Sequence, residues 1–281
     1  KILILGINGL LGHRVFINLS KNKKFNVIGT VRDKMKNNIF SNKKIIENFN
    51  VKNFIGIKKK IKKINPDFII NCIGITNKKT GRTNKNQIFL INSILPHYLD
   101  NLSVILKYKL IHISTDCVFQ GKKNFYTEKD TCDVQDLYGL SKYLGEIRNT
   151  KNLTIRTSII GHELSEKNGL LEWFLSKKKV KGFSKVIYSG LTTNELSNIL
   201  ESCISKYRMK GLYQVSSNPI NKFELLKLIN KIYEKSIKIN KDVSVKKKLI
   251  LKSSKFYKKT NYKVKSWKKQ IQEMKEQKHE R

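Results

Sequence analysis

Tyr138 and Lys142, in the run Tyr138-Gly139-Leu140-Ser141-Lys142, stand four residues apart. On a helix that spacing puts a phenol and an ammonium on one face, where the positive charge is expected to lower the phenol from its ordinary pKa of ~10. Tyr138 is thereby a candidate proton donor near neutral pH. Upstream lie Ser114-Thr115-Asp116 and an N-terminal loop carrying Gly6, Gly9 and Gly12. A glycine loop of this kind supplies a dinucleotide site, and the combination reads as reduction of a carbonyl by a nicotinamide cofactor.

The loop is Gly6-Ile7-Asn8-Gly9-Leu10-Leu11-Gly12. It follows an apolar stretch and opens a helical one, so its glycines allow a tight turn and a close backbone approach to a pyrophosphate at a helix N-terminus. A glycine trio alone also fits a plain strand-to-helix turn. The acidic residue that holds a ribose 2'-hydroxyl ~20 positions on is absent, and Thr30-Val31-Arg32 stands there instead. Arg32 suits a 2'-phosphate, which predicts NADPH as cofactor with NADH as the alternative. As a competing reading, Arg32 is one more surface cation.

Elements that must position these residues alternate along the first half. Ile2 to Leu5, Asn26 to Val31, Phe68 to Ile73, Leu110 to Ser114 and Leu153 to Ser158 read as buried strands, and Leu10 to Ser20 and Ile88 to Tyr108 have helical spacing. Such alternation predicts an α/β fold, a Rossmann-like doubly wound parallel sheet with a smaller C-terminal α/β substrate-binding lobe. Residues 1–160 form the dinucleotide-binding domain, with 188–208 returning to it, and 161–187 with 209–281 form the lobe. Gly161 to Ser189 reads as loop-rich, with Lys181 to Ser184 in a substrate loop. Helices are expected at Asn194 to Lys206 and Lys222 to Lys235, a short strand near Leu212 to Val215, and an amphipathic tail carrying Trp267, Ile271 and Met274.

Composition bounds the partners. The chain has 281 residues, 39% of them hydrophobic, enough for one large core or two modest ones. No uninterrupted apolar run approaches the ~20 residues that cross a bilayer, and no leader pattern is visible, so a cytoplasmic protein without a membrane partner is expected. Cys72, Cys117, Cys132 and Cys203 form no CxxC pair and predict reduced thiols and no metal site. The formal charge of +37 comes mostly from Lys spread over the whole length. Basic runs are not interleaved with aromatics, so the excess reads as a solvated surface and no nucleic-acid partner is expected, although a positive field favours an anionic nucleotide ligand.

Several motifs in one order carry a resemblance over nearly the whole chain: the glycine loop, Asn65-Pro66-Asp67 leading to Asn71-Cys72, His112 to Phe119 with Gly121, the Tyr138 to Lys142 run with Gly145-Glu146, Arg156-Thr157-Ser158, and Ser266-Trp267. The chain resembles the extended short-chain dehydrogenase/reductases, and more narrowly the dTDP-4-dehydrorhamnose reductase family of sugar-nucleotide reductases. The resemblance implies catalysis by Thr115, Tyr138 and Lys142: Thr115 holds the substrate carbonyl, Tyr138 delivers its proton, and Lys142 holds the nicotinamide ribose. It implies cofactor contacts at Gly6, Asn8, Gly9, Leu10, Leu11, Gly12, Arg32, Asn50, Val51, Cys72, Ile73 and Gly74, besides Tyr138 and Lys142. Asp116 would lie beside the sugar with Thr115 and Tyr138. The implied substrate is a nucleotide-linked 4-keto deoxysugar for surface polysaccharide, and a homodimer is one implied assembly.

Departures from the pattern bear on the substrate. Cys117 stands where a tyrosine is common, Asn50 where an aspartate is often seen, and Ile159 where rhamnose-forming members carry a tryptophan against the sugar. Because the family is also similar to a regulatory subunit of methionine adenosyltransferase, a non-catalytic cofactor-binding role is the alternative. The intact Thr115, Tyr138 and Lys142 favour the enzyme.

Overall fold

A computed structural model describes residues 1–35, 40, 44–81, 83–148, 151–164, 169–207 and 209–277, the side chains of 77 and 78 excepted. Seven strands build the central sheet: β1 Ile2–Leu5, β2 Val27–Thr30, β3 Lys44–Ile46, β4 Phe68–Asn71, β5 Lys109–Thr115, β6 Leu153–Thr157 and β7 Gly211–Gln214. They lie in the order β7-β6-β5-β4-β1-β2-β3, and each pairing is parallel. The longer helices are α1 Gly12–Lys21, α2 Phe54–Ile64, α3 Leu95–Leu106, α4 Leu137–Leu144, α5 Thr193–Ser205, α6 Lys222–Ile232 and α7 Trp267–Glu276.

Strand β1 shows why the sheet is covered on both faces. Ile2 and Ile4 enter a core with Val15, Phe16 and Leu19 of α1 and Leu196, Ile199 and Leu200 of α5. Leu3 and Leu5, pointing the other way, join Ile57 and Ile61 of α2 and Leu95, Leu99 and Leu102 of α3. Alternate side chains of a strand face opposite sides, and a parallel strand buried on both is apolar throughout. Strand order reverses beside β1, whose neighbours are β2 and β4. Crevices at such switch points, beyond the carboxyl ends of the strands, are where α/β sheets bind ligands.

Two expectations are corrected. Gly211–Gln214, assigned to the second lobe, pairs with β6 and closes one edge of the central sheet; its own burial makes it core. Residues 161–189 are not loop-rich: they hold a helix at Leu170–Leu175 and strands at Lys179–Phe183 and Val186–Tyr188, so Lys181 to Phe183 lies in a strand paired with Lys238–Asp242. Their short, lysine-interrupted segments mask the apolar alternation. The helical run Lys85–Leu106 is long and apolar enough by length and composition to cross a membrane, yet half of its apolar window is buried inside the fold.

The remaining lobe has its own core, in which Phe174, Leu225, Leu226, Ile229, Trp267, Ile271 and Met274 pack together. It is fastened to the sheet domain by Gln270 of α7, whose Oε1 accepts the amide of Thr192, the residue that caps α5, at 3.0 Å.

Candidate active site

Side chains with chemistry collect where β1, β4, β5 and β6 end. The first turn after β1 is set by Gly6, whose φ of +81° is a left-handed conformation that costs glycine little. Gly12 opens α1 under tighter constraint: a Cβ there would lie 2.1 Å from the Gly6 carbonyl oxygen, so loop and helix close on each other only without a side chain. The Gly9 amide donates to the Gly6 carbonyl at 3.1 Å, and His13 Nδ1 meets the Gly9 carbonyl at 2.9 Å. His13 is buried, and burial lowers its pKa to about 4, which makes Nδ1–H the donor in that bond.

The outer side of this loop is open. A Cβ on Gly9 would meet only the Gly6 carbonyl oxygen at 3.4 Å, and one on Gly74, across at the end of β4, only Asn92 Oδ1 at 3.6 Å. An open glycine crest at a helix N-terminus suits a pyrophosphate. Asn8 is exposed, Leu10 is half-buried, and Leu11 is buried beneath the loop. Ile73 packs its Cγ1 against Gly6, and the Cys72 thiol, pushed up to about 12 by burial, lies close enough to Lys142 to feel its charge.

At the end of β5, Thr115 Oγ1 accepts the Cys117 amide at 3.2 Å and donates to Asp116 Oδ1 at 3.3 Å. Asp116 is buried, and burial pushes its carboxyl up against hydrogen bonds from Cys117, Thr115 and Ser158. Helix α4 brings Tyr138 to the same place. Asp136 caps that helix by accepting the Gly139 amide at 2.8 Å. Gly139 is fixed by contact: a Cβ there would stand 2.3 Å from the Cys117 carbonyl oxygen. The missing side chain lets α4 lie against the turn that carries Thr115, and a side-chain hydrogen bond joins Tyr138 to Thr115. Lys142, one turn on and buried, donates from Nζ to the Ile113 carbonyl at 2.7 Å.

Protonation departs from the expectation. Burial pushes the Tyr138 phenol above its ordinary value, helped by Cys117, Asp116 and Asp136, and the Thr115 hydrogen bond opposes the rise. The acidifying effect expected from Lys142 does not govern, because desolvation is the larger influence and the ammonium is turned to a strand carbonyl. Burial lowers Lys142 itself to about 8, although Glu146 and Cys72 pull the other way. Tyr138 is therefore held as a neutral phenol beside a cation that is easily discharged.

Three expected cofactor residues stand apart from this cluster or play structural parts. Arg32, largely exposed, pairs through Nε with Asp33 Oδ2 at 2.8 Å. Asn50 is exposed and its Oδ1 accepts the Lys52 amide at 3.0 Å. Val51 is core, packed with the face of the sheet that holds α2 and α3. Sequence reading missed Asn92, which lies in the π-helical turn Leu90–Ile94 between Lys85–Phe89 and α3. Its Oδ1 accepts the Ile75 amide at 2.8 Å and its Nδ2 donates to Ser141 Oγ at 3.0 Å, tying the loop after β4 to α4. The signal was a polar Asn92-Ser93 pair inside an apolar helical run, and π-bulges frequently mark functional sites.

A parallel sheet with a glycine turn after β1, and a Thr–Tyr–Lys cluster beyond β5, defines the extended short-chain dehydrogenase/reductase fold. The RmlD substrate binding domain family matches residues 1–279, and the chain belongs to that family. A hypothetical dTDP-4-dehydrorhamnose reductase from Sulfolobus tokodaii superposes with a TM-score of 0.80 at 25% identity, over 95% of this chain and 97% of that one. The dTDP-4-dehydrorhamnose reductase of Bacillus anthracis in complex with NADP gives 0.82 at 20% identity, covering 98% of each. Among curated sequences, the Bacillus subtilis spore coat polysaccharide biosynthesis protein SpsK is 35% identical over 139 residues, which is 47% of this chain and 49% of that protein. A dTDP-4-dehydrorhamnose reductase of Mycobacterium tuberculosis is 31% identical over 85 residues, 28% of each chain. The matched segments thus span about half, or less, of the curated relatives.

Proposed function

We propose that this protein is an NADPH-dependent reductase of the 4-keto group of a nucleotide-linked deoxysugar, acting in polysaccharide biosynthesis. The observation that carries this reading is the junction of Thr115, Tyr138 and Lys142 beside an open glycine crest. Relatives named as dTDP-4-dehydrorhamnose reductases, one of them holding NADP, and a spore coat polysaccharide protein support it.

When bound, the dinucleotide supplies a hydride to the carbonyl carbon. The Thr115 hydroxyl and the Tyr138 phenol bind the ketone oxygen from one side, and Tyr138 gives that oxygen its proton. Burial keeps the phenol protonated until the oxygen becomes strongly basic, so the proton moves with the developing charge and not before it. Lys142 then balances the phenolate. The backbone from Gly6 to Leu11 receives the pyrophosphate, and Arg32 is free to exchange its exposed Asp33 partner for a 2'-phosphate. Asp116 and Ser158, joined by a hydrogen bond, supply polar contacts for the sugar.

The reading includes a homodimer and a reducing, cytoplasmic setting. Ile94, Leu140 and Leu144 lie 38–50% exposed on neighbouring elements, an apolar surface that fits a second copy, and all four cysteines are free. The deciding experiment is oxidation of NADPH with a panel of nucleotide-linked 4-keto deoxysugars. Turnover on at least one, lost in Tyr138→Phe, is expected; dinucleotide binding with no turnover on any would replace the reductase by the regulatory alternative.

A further inference from the structure

Where the lobe meets the sheet domain, the chain runs from the strand Val186–Tyr188 through Ser189 and Gly190 to Leu191, whose amide donates to the Ser158 carbonyl at 2.8 Å. Tyr188 ends the middle strand of a three-stranded sheet, opposite Ile220 on one side and Leu249 on the other. Its ring lies against Gly190: a Cβ on that glycine would stand 2.7 Å from Tyr188 Cε2, 3.1 Å from Cδ2 and 2.9 Å from the Ser158 carbonyl oxygen. Cε2 adjoins the carbon that bears the hydroxyl, so the outer half of the ring lies beside the end of β6, where Ser158 hydrogen-bonds Asp116. Burial, with the charge of Asp116, holds the Tyr188 phenol above its ordinary value and so protonated at neutral pH.

The Tyr188 hydroxyl is buried and has no hydrogen-bond partner among the described residues. Other buried phenols of the chain are satisfied: Tyr108 donates to the Leu99 carbonyl at 2.6 Å, Tyr126 accepts the Gly121 amide at 3.0 Å, and Tyr233 meets His162 Nε2 at 2.8 Å. The Tyr188 ring belongs to the lobe core with Ile160 and Phe174, and its centroid stands 5.7 Å from that of Trp267. Phenylalanine would fill such a setting equally well. A buried donor without an acceptor lowers stability, and in native structures a group of this kind calls for a role beyond packing.

We infer that Tyr188 is a substrate-binding residue whose hydroxyl, set on the lobe side of the crevice with Asp116 and Ser158 on the sheet side, grips one hydroxyl group of the sugar and selects sugars that carry it. A sugar hydroxyl can donate to an Asp116 carboxyl oxygen and accept from a neutral phenol at the same time. A site that puts an acceptor and a donor around one hydroxyl rejects an analogue without it, because both protein groups are then left unpaired. This rests on the reading of the crevice as a nucleotide-sugar site, and it adds a residue of the lobe to a set otherwise drawn from the sheet domain.

Tyr188→Phe removes one oxygen atom and leaves the ring. Because the hydroxyl has no partner before substrate binds, the Tm of the full-length protein without ligands should hold or rise. KM for the ketosugar should rise about fivefold to tenfold with kcat within about twofold, and dinucleotide affinity should stay. Opposite signs in stability and substrate affinity separate a hydroxyl kept for a ligand from a structural one. A Tm lowered by more than about 2 °C, or an unchanged KM, overturns the inference. Failure of the wild-type protein to reduce any ketosugar would sink the reductase reading instead, and calorimetry with dTDP-glucose and UDP-glucose against dTDP and UDP then reads the site without turnover. The sugar should add affinity in the wild type and add less in Tyr188→Phe; an increment absent from the wild type, or equal in both proteins, overturns the inference.

Discussion

Gly139→Ala tests whether the approach of α4 to the Thr115 turn makes the site. The added Cβ would lie 2.3 Å from the Cys117 carbonyl oxygen and 2.2 Å from Val134 Cγ2. Val134 can rotate away, but the carbonyl is backbone of the turn that Thr115 begins. Ordinary carbon–oxygen contact is wider by about 1 Å, so α4 must retreat by roughly that much, taking Tyr138 from Thr115. A misplacement of about 1 Å in a catalytic group costs about 10²-fold in rate, and overpacking costs about 1–3 kcal/mol of stability. Stopped assays of ketosugar reduction should therefore show kcat down by about two orders of magnitude, while dinucleotide affinity changes little because the glycine crest is untouched. Calorimetry should show a loss of several degrees in Tm, at about 2–4 °C per kcal/mol for a domain of this size. A folded Gly139→Ala variant retaining kcat within about twofold would refute the claim that this contact sets the catalytic geometry.

Tyr138→Phe removes the proton donor but not the ring, so kcat should fall about 10²- to 10⁴-fold with dinucleotide binding retained, as checked by fluorescence titration. Arg32→Ala should narrow the ratio of kcat/KM for NADPH over NADH; because the side chain is largely exposed, the effect is held to about 1 kcal/mol, or roughly fivefold. Burial holds folded His13 near 4, while the unfolded chain binds that proton near 6.5. Between those values the unfolded state carries more protons, so stability is fully present above the unfolded value and declines as pH falls toward 4, by about 3 kcal/mol in all. Denaturant melts across that window should show the decline, and His13→Gln, which still offers a donor to Gly9, should flatten its share.

Legibility followed the physics of each signal. Strand β1 could be placed to the residue because four apolar side chains in a row, stopped by glycine, have one cheap arrangement in a sheet covered on both faces. Strand β3 could not: its Lys44-Ile45-Ile46 edge is too short and too polar for periodicity to register. Helix α3 was expected from its spacing, but the π-helical turn ahead of it arises from tertiary bonds of Asn92 to Ile75 and Ser141, which no local preference encodes.

Chemistry was legible in kind and misread in sign. The four-residue interval between Tyr138 and Lys142 correctly implied one helix face, and pair electrostatics alone would then acidify the phenol. How far two groups sit from water is a property of the packed fold, and desolvation of a phenol and an ammonium moves both toward neutrality. That inversion suits a reductase: a phenol kept protonated is ready as a donor.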